Sequence, residues 1–186
     1  MPPAPAARAK VLHAYAELLV SSGERSATLD AVAELAGVSK GGLLYHFPSK
    51  EALAEGLMEH LRELTAADVA AMRAAPDGAV DYLLRTSTVV DGEFGLTYLA
   101  ITRLAQGPYP QARAVLDEAH QAWTLAVRDE IDDPVLARAV FLLGEGLYSL
   151  AAVGAGTQDP TDMDDLLALV TQVAETRRAA PAPRRG

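Results

Sequence analysis

Apolar residues return at intervals of three and four along nearly the whole chain, the spacing of helices that each bury one face. Val11, Tyr15, Leu18 and Leu19 form the first stripe, in a helix ending near Ser22 and Gly23. Leu29, Val32, Ala33 and Ala36 form the second; Thr28 can cap its start, and Gly37 can take the positive φ wanted at its end. Val38 turns inward, and Ser39 is placed to cap a short third helix over residues 40–45. Two short helices joined by a tight glycine turn have the layout of a DNA-reading helix-turn-helix, with the second helix as the reader.

His46, Phe47 and Pro48 lead to Ser49, a further cap, and to a long helix carrying Leu53, Leu57, Leu61 and Leu64 on one side. Pro76, Asp77 and Gly78 break it. Helical segments follow at residues 79–90, 94–105, 110–131 and about 134–153, the last opened by Asp132, Asp133 and a first-turn Pro134. Thr161 and Asp164 make a near capping box for a final helix with Met163, Leu166, Leu167, Val170, Val173 and Ala174 in one stripe. Arg177 and Arg178 suit its C-terminus. Residues 1–7, a Pro/Ala arm, and the tail at residues 179–186 are expected to be disordered. With neither β alternation nor an internal repeat, the chain reads as all-α. The expected division is residues 1–48 for the arm and three-helix DNA-binding domain, and residues 49–178 for a connecting helix and a C-terminal helical bundle.

Composition narrows the class. The 186 residues are 50% apolar, ample for a core, and include no cysteine, which removes disulfides, thiolate metal sites and thiol nucleophiles together. Prolines interrupt the start, MPPAPAAR, where a signal peptide needs an apolar run, and the longest uncharged apolar stretch, residues 146–158, is too short to span a bilayer. A cytoplasmic protein without a membrane partner is expected. The formal net charge of −9 argues against nucleic acid at first sight, yet its distribution weakens the objection. Residues 1–64 hold six Lys/Arg against eight Asp/Glu, whereas residues 65–186 hold ten against seventeen. DNA contact would then rest on a few placed cations and backbone amides.

The string TLDAVAELAGVSKGGLLYHFPSKEAL, residues 28–53, resembles the tetracycline-repressor (TetR) family of bacterial transcription regulators, and the likeness extends over residues 8–64. That resemblance implies a three-helix DNA-binding domain, a connecting fourth helix, and a C-terminal domain that dimerises and binds a small ligand. Past about residue 70 the match is one of helical style only. Carried onto matching positions, it implies DNA contact by Thr28, Ser39, Lys40, Gly41, Gly42, Tyr45, His46 and Lys50, with Arg8 and Lys10 as looser candidates for an adjacent groove. The chemistry agrees: Thr28 and Ser39 mark helix N-termini whose free amides favour phosphate oxygens, and Lys50 stands at another. Similar proteins commonly place a tyrosine where this chain has Leu44, one step before Tyr45. One step turns a side chain by about 100° around a helix, so the family's base contact does not transfer.

In the expected effector domain, Tyr82, Tyr98, Trp123 and Tyr148 are either core packing or the lining of a ligand pocket. Glu145 interrupts the run AVFLLGEGLYSLAAV, and a carboxylate there must be solvated, paired, or turned to a cavity or interface. Gly144, Gly146, Ala151 and Ala152 allow close helix approach, in a four-helix dimer interface or in the monomer's own core.

Catalytic readings find little support. Gly144-x-Gly146 and Gly154-x-Gly156 lack a third glycine and a preceding strand, and His13, His46, His60 and His120 lie on separate segments without metal-binding spacing. The expectation is therefore a regulator without enzymatic activity, cofactor or metal. It would be a homodimeric repressor on double-stranded operator DNA, released by an unidentified small, partly apolar effector. The alternative is a helical small-molecule carrier without specific DNA binding.

Overall fold

The computed structural model describes residues 4–154 and 160–179, which contain helices and no strand. In order these are α1 (Ala4–Ser22), α2 (Leu29–Ala36), α3 (Lys40–His46), α4 (Lys50–Ala74), α5 (Ala79–Thr86), α6 (Glu93–Ala105), α7 (Pro110–Glu130), α8 (Pro134–Ala152) and α9 (Pro160–Ala179). The fold is all-α, with the helix-turn-helix near the N-terminus and helical bundling beyond it. Residues 4–7 belong to α1, so the expected arm is shorter than its composition implied. Alanine is the best helix former, and first-turn prolines forfeit no helical hydrogen bond. Ala179, placed in the expected tail, is the last residue of α9, while residues 1–3 and 180–186 lie outside the described residues.

The chain forms two compact units. The first comprises Met1–Ala67 and Asp91–Ala119, and in it α1 packs on α2, α3 and α6. Val11, Leu12, Tyr15, Leu19, Val32, Leu43, Leu53, Leu57, Leu61 and Ile101 are buried there, whereas Leu18 and Leu64, expected inside, are half-buried. Gly56 explains how α4 seats closely: a Cβ on it would stand 2.5 Å from the Phe47 ring and 3.4 Å from Leu12. Arg8 lies over the same ring, its guanidinium 5.7 Å from the Phe47 ring centre.

The second unit comprises Asp68–Val90 and His120–Gly186, with α5 packed on α8 and α9. Gly78 does more than break α4. It takes φ +94°, and a Cβ on it would meet the Glu130 carboxylate at 2.7 Å. That carboxylate caps α5 from the end of α7, accepting from the amides of Ala79 at 2.5 Å and Val80 at 3.1 Å. Helix α5 also stops at Thr86, not Val90. Thr86 and Thr88 turn their hydroxyls back to the carbonyls of Tyr82 and Arg85, at 2.8 and 2.7 Å, and the β-branched run that follows adds no helical preference. Asp133 caps α8 through Val135 and Leu136, as the start signal implied.

Gly144 is spent within the chain, since its missing Cβ would lie 3.1 Å from Ser87 and 3.4 Å from Leu83. Leu142, Leu143 and Leu150 of α8 are instead exposed, as is Val153 just past its end. By length and composition alone α8 could cross a membrane, with mean hydropathy 1.5, although it carries Arg138 and Glu145. In α9 only Val170 of the expected stripe is buried, and Met163, Leu166, Leu167, Val173 and Ala174 stay half-exposed. The side chain of Thr161, the expected cap, lies outside the described residues.

Candidate nucleic-acid interface and a second polar cluster

Three helix starts converge in sequence on the reader, and each is capped. The Thr28 hydroxyl accepts from the Ala31 amide at 3.2 Å, the Ser39 hydroxyl from Gly42 at 3.1 Å, and the Ser49 hydroxyl from Ala52 at 3.2 Å. Between α2 and α3, Gly37 adopts φ +64° and its amide returns to the end of α2. This locks the turn without a bulky residue. Leu43 anchors α3 in the core, fully buried, while Lys40, Gly41, Gly42, Leu44 and Tyr45 face outward.

Tyr45 is 83% exposed and its ring meets His46 edge-on at 5.1 Å. Leu44 is also exposed, at 37%, so the one-step offset presents both side chains. The two glycines differ. A Cβ on Gly42 would press on the capping Ser39 hydroxyl at 3.2 Å, whereas Gly41 meets nothing and leaves its backbone open to approach.

The lysines of this face are not idle. Lys40 pairs with Asp30 of α2 at 2.8 Å, and Lys50 with Glu24 at 2.8 Å, while also donating to the Glu24 carbonyl. Sequence reading named both lysines and missed both carboxylates; the signal was an acidic residue in the first turn of α2 and another just before it. Glu51, hydrogen-bonded to its own amide and the Ser49 hydroxyl, has its carboxyl held below the usual range. Elsewhere in this unit Glu51, Glu55, Met58, Pro108, Tyr109 and Gln111 line a cleft of about 250 Å³. Phe94 and Tyr98 stack at 6.2 Å, with Tyr98 buried in the same unit.

In the second unit a carboxylate that sequence reading overlooked organises the aromatics. Asp68 of α4 accepts from the Tyr82 hydroxyl at 2.9 Å through one oxygen and from the Trp123 indole N–H at 2.8 Å through the other. Burial, then the Asp68 hydrogen bond and charge, push the Tyr82 phenol up to about 12. His120, one turn before Trp123, lies 6.1 Å from its ring and 5.2 Å from Phe141, and its Nε2 is 3.9 Å from the Glu145 carboxylate. Tyr148 is raised to about 12 by burial and by Glu145. Of the expected pocket residues, Tyr82, Trp123, Glu145 and Tyr148 therefore belong to the second unit and Tyr98 to the first. The available clue to Asp68 was its place as the single charge in the run TAADVAAM. Among the described residues no group of three or more His, Asp or Glu side chains could hold a metal ion.

A capped helix pair with an outward reader, followed by helices in bundles, defines a helix-turn-helix regulator architecture. Residues 11–57, the helix-turn-helix segment, match the family described as bacterial regulatory proteins, tetR family. The HTH-type transcriptional regulator UidR of Escherichia coli (strain K12) is 30% identical over 130 residues, 68% of this chain, and the chain spans 65% of that relative's length. The regulator RutR of the same strain is 35% identical over 86 residues, 45% of this chain and 41% of the relative. The solved structure of Salmonella enterica GusR shares the fold at TM-score 0.66 and 22% identity, over 94% of this chain and 98% of that one.

Proposed function

We propose that the chain is a transcriptional regulator that acts in the cytoplasm as a homodimeric repressor, binding a palindromic operator and released by a small, partly apolar ligand. The observation that carries DNA binding is α3. Its exposed Lys40, Gly41, Gly42, Leu44 and Tyr45 stand beside three capped helix starts, an arrangement suited to phosphate and base-edge contact. Thr28, Ser39, His46 and Lys50 would position the protein on the backbone. Dimer formation is supported by the exposed apolar residues Leu142, Leu143 and Leu150 of α8, Val153 just past its end, and Leu169 of α9. Two readers spaced by about one DNA turn then read a palindrome.

Ligand in the second unit, with Tyr82, Trp123, Glu145 and Tyr148 as contacts and Tyr98 as a further candidate, would favour a dimer with altered reader spacing. Helix α4, which contributes residues to both units, is the lever in this scheme. Coupling is reciprocal, so operator must weaken ligand binding by the factor that ligand weakens operator binding. Fluorescence anisotropy on labelled DNA from upstream of the regulator's own gene tests the reading: specific binding should fall steeply with salt.

The pairing of Lys40 and Lys50 with Asp30 and Glu24 favours a second reading, a ligand carrier without specific DNA binding. No retardation of any promoter fragment at low salt would favour the carrier over the regulator.

A further inference from the structure

We infer that the effector is an organic cation with an aromatic or apolar body, whose charge is received by Asp68. This rests on the reading of the second unit as the effector site and adds the ligand class. Asp68 is held by two neutral donors, the Tyr82 hydroxyl and the Trp123 indole, and by no Lys, Arg or His among the described residues. Those donors orient the carboxylate without neutralising it. Each oxygen accepts one hydrogen bond, which leaves acceptor capacity on both.

Three arginines of the same unit are paired with other carboxylates. Arg73 pairs with Asp129 at 3.0 Å, Arg85 with Asp81 and Asp164 at 3.0 and 2.6 Å, and Arg177 with Asp133. Arg138 is exposed and lies over the Phe141 ring at 5.3 Å. Asp68 is half-buried with neutral donors as its partners, so a ligand cation would supply a charged partner that the described residues do not.

The surroundings suit such a ligand. Asp68, Tyr82, His120, Glu145 and Tyr148 all keep part of their surface open, so the carboxylate is reachable, while Trp123 is buried beside it. Aromatic faces attract cations, more strongly when water is excluded. Glu145 places a second carboxylate in the cluster, near His120. A ligand anion would instead meet like charge, and a neutral ligand would leave Asp68 as it was.

Trp123 is the sole tryptophan of the chain, so its fluorescence reports on the site directly. Three probes sharing one body, 4-phenylbutylammonium, 4-phenylbutanol and 4-phenylbutyrate, are titrated into the full chain and followed by Trp123 emission and by calorimetry. The ammonium should bind at least about tenfold more tightly than the alcohol, with the carboxylate weakest. Asp68→Asn should abolish the preference and leave the alcohol unchanged; Tyr82→Phe, which keeps the carboxylate, should retain it. An alcohol or carboxylate as tight as the ammonium overturns the cation class and leaves the effector site standing. Preference retained in Asp68→Asn overturns the role of Asp68. Silence from all three probes by both readouts overturns the effector-site reading itself. Where Asp68→Asn does not fold, the three-probe ranking on the native protein decides.

Discussion

The reader and the Asp68 cluster settle their charge in opposite ways. On the reader face each of the two lysines is matched by a carboxylate of the same unit, Lys40 by Asp30 and Lys50 by Glu24. What remains for DNA is local: amides at capped helix starts, open glycine backbone, and the exposed Leu44 and Tyr45. Such a face has little long-range pull and depends on register, because each contact works only when the helix sits correctly in its groove. In the second unit the Asp68 carboxylate is held by two neutral donors and by no cationic side chain among the described residues. The first arrangement suits a partner recognised by shape, the second a partner recognised by charge.

Two aromatic truncations should separate the regions most sharply. Trp123 is 6% exposed and donates to Asp68, so Trp123→Ala removes a packed ring and one of the two donors to that carboxylate. Urea unfolding followed by circular dichroism should show a loss of about 3–5 kcal/mol. Tyr45, 83% exposed, should behave in the reverse sense. Tyr45→Ala is expected to leave stability within about 0.5 kcal/mol. Its operator affinity should fall about 10- to 100-fold in anisotropy titrations. Equal stability losses in the two variants would erase the distinction between a reading surface and a packed site.

The same contrast explains what the sequence made legible. Thr28, Gly37, Ser39 and Ser49 act within three residues of themselves, so local spacing discloses them, and all four do in the fold what their positions implied. The cap of α5 could not be found that way, because Glu130 arrives from about fifty residues later. Asp68, Tyr82 and Trp123 come from α4, α5 and α7, and nothing in the spacing of those helices says which faces meet. The Gly56 seat under Phe47 was hidden for the same reason: a glycine inside a helix reads as a penalty until its neighbour is known. Where Thr86 and Thr88 bond backward, side-chain competition shortened α5 against its apolar pattern.

Charge settlement on the reader can be undone by a single substitution. Asp30→Asn frees Lys40 and removes a like charge from the DNA face. The pair is exposed and contributes little to folding, so stability should hardly move. Affinity for non-operator DNA should rise about threefold to tenfold, and the slope of log affinity against log salt should steepen by about one. Unchanged salt dependence would mean that Lys40 does not reach phosphate, and the reader would have to rely on neutral contacts alone.

The smallest effect concerns a charge that is settled in the second unit, and it checks whether the Asp68 cluster is exceptional there. Asp133 pairs with Arg177 and caps α8, and the Arg177 hydrogen bond, followed by the Leu136 amide, lowers its carboxyl to about 2. A depressed folded-state value means that the ionised form favours folding. The contribution is therefore complete above the ordinary value of 3.8 and disappears as pH falls through about 2. Asparagine can still cap the helix but cannot hold the charge. Wild type should thus exceed Asp133→Asn in urea midpoint by a constant margin at neutral pH, and the margin should close between about pH 4 and pH 2. A margin independent of pH would assign Asp133 to capping alone and leave Arg177 without a role in joining α9 to α8.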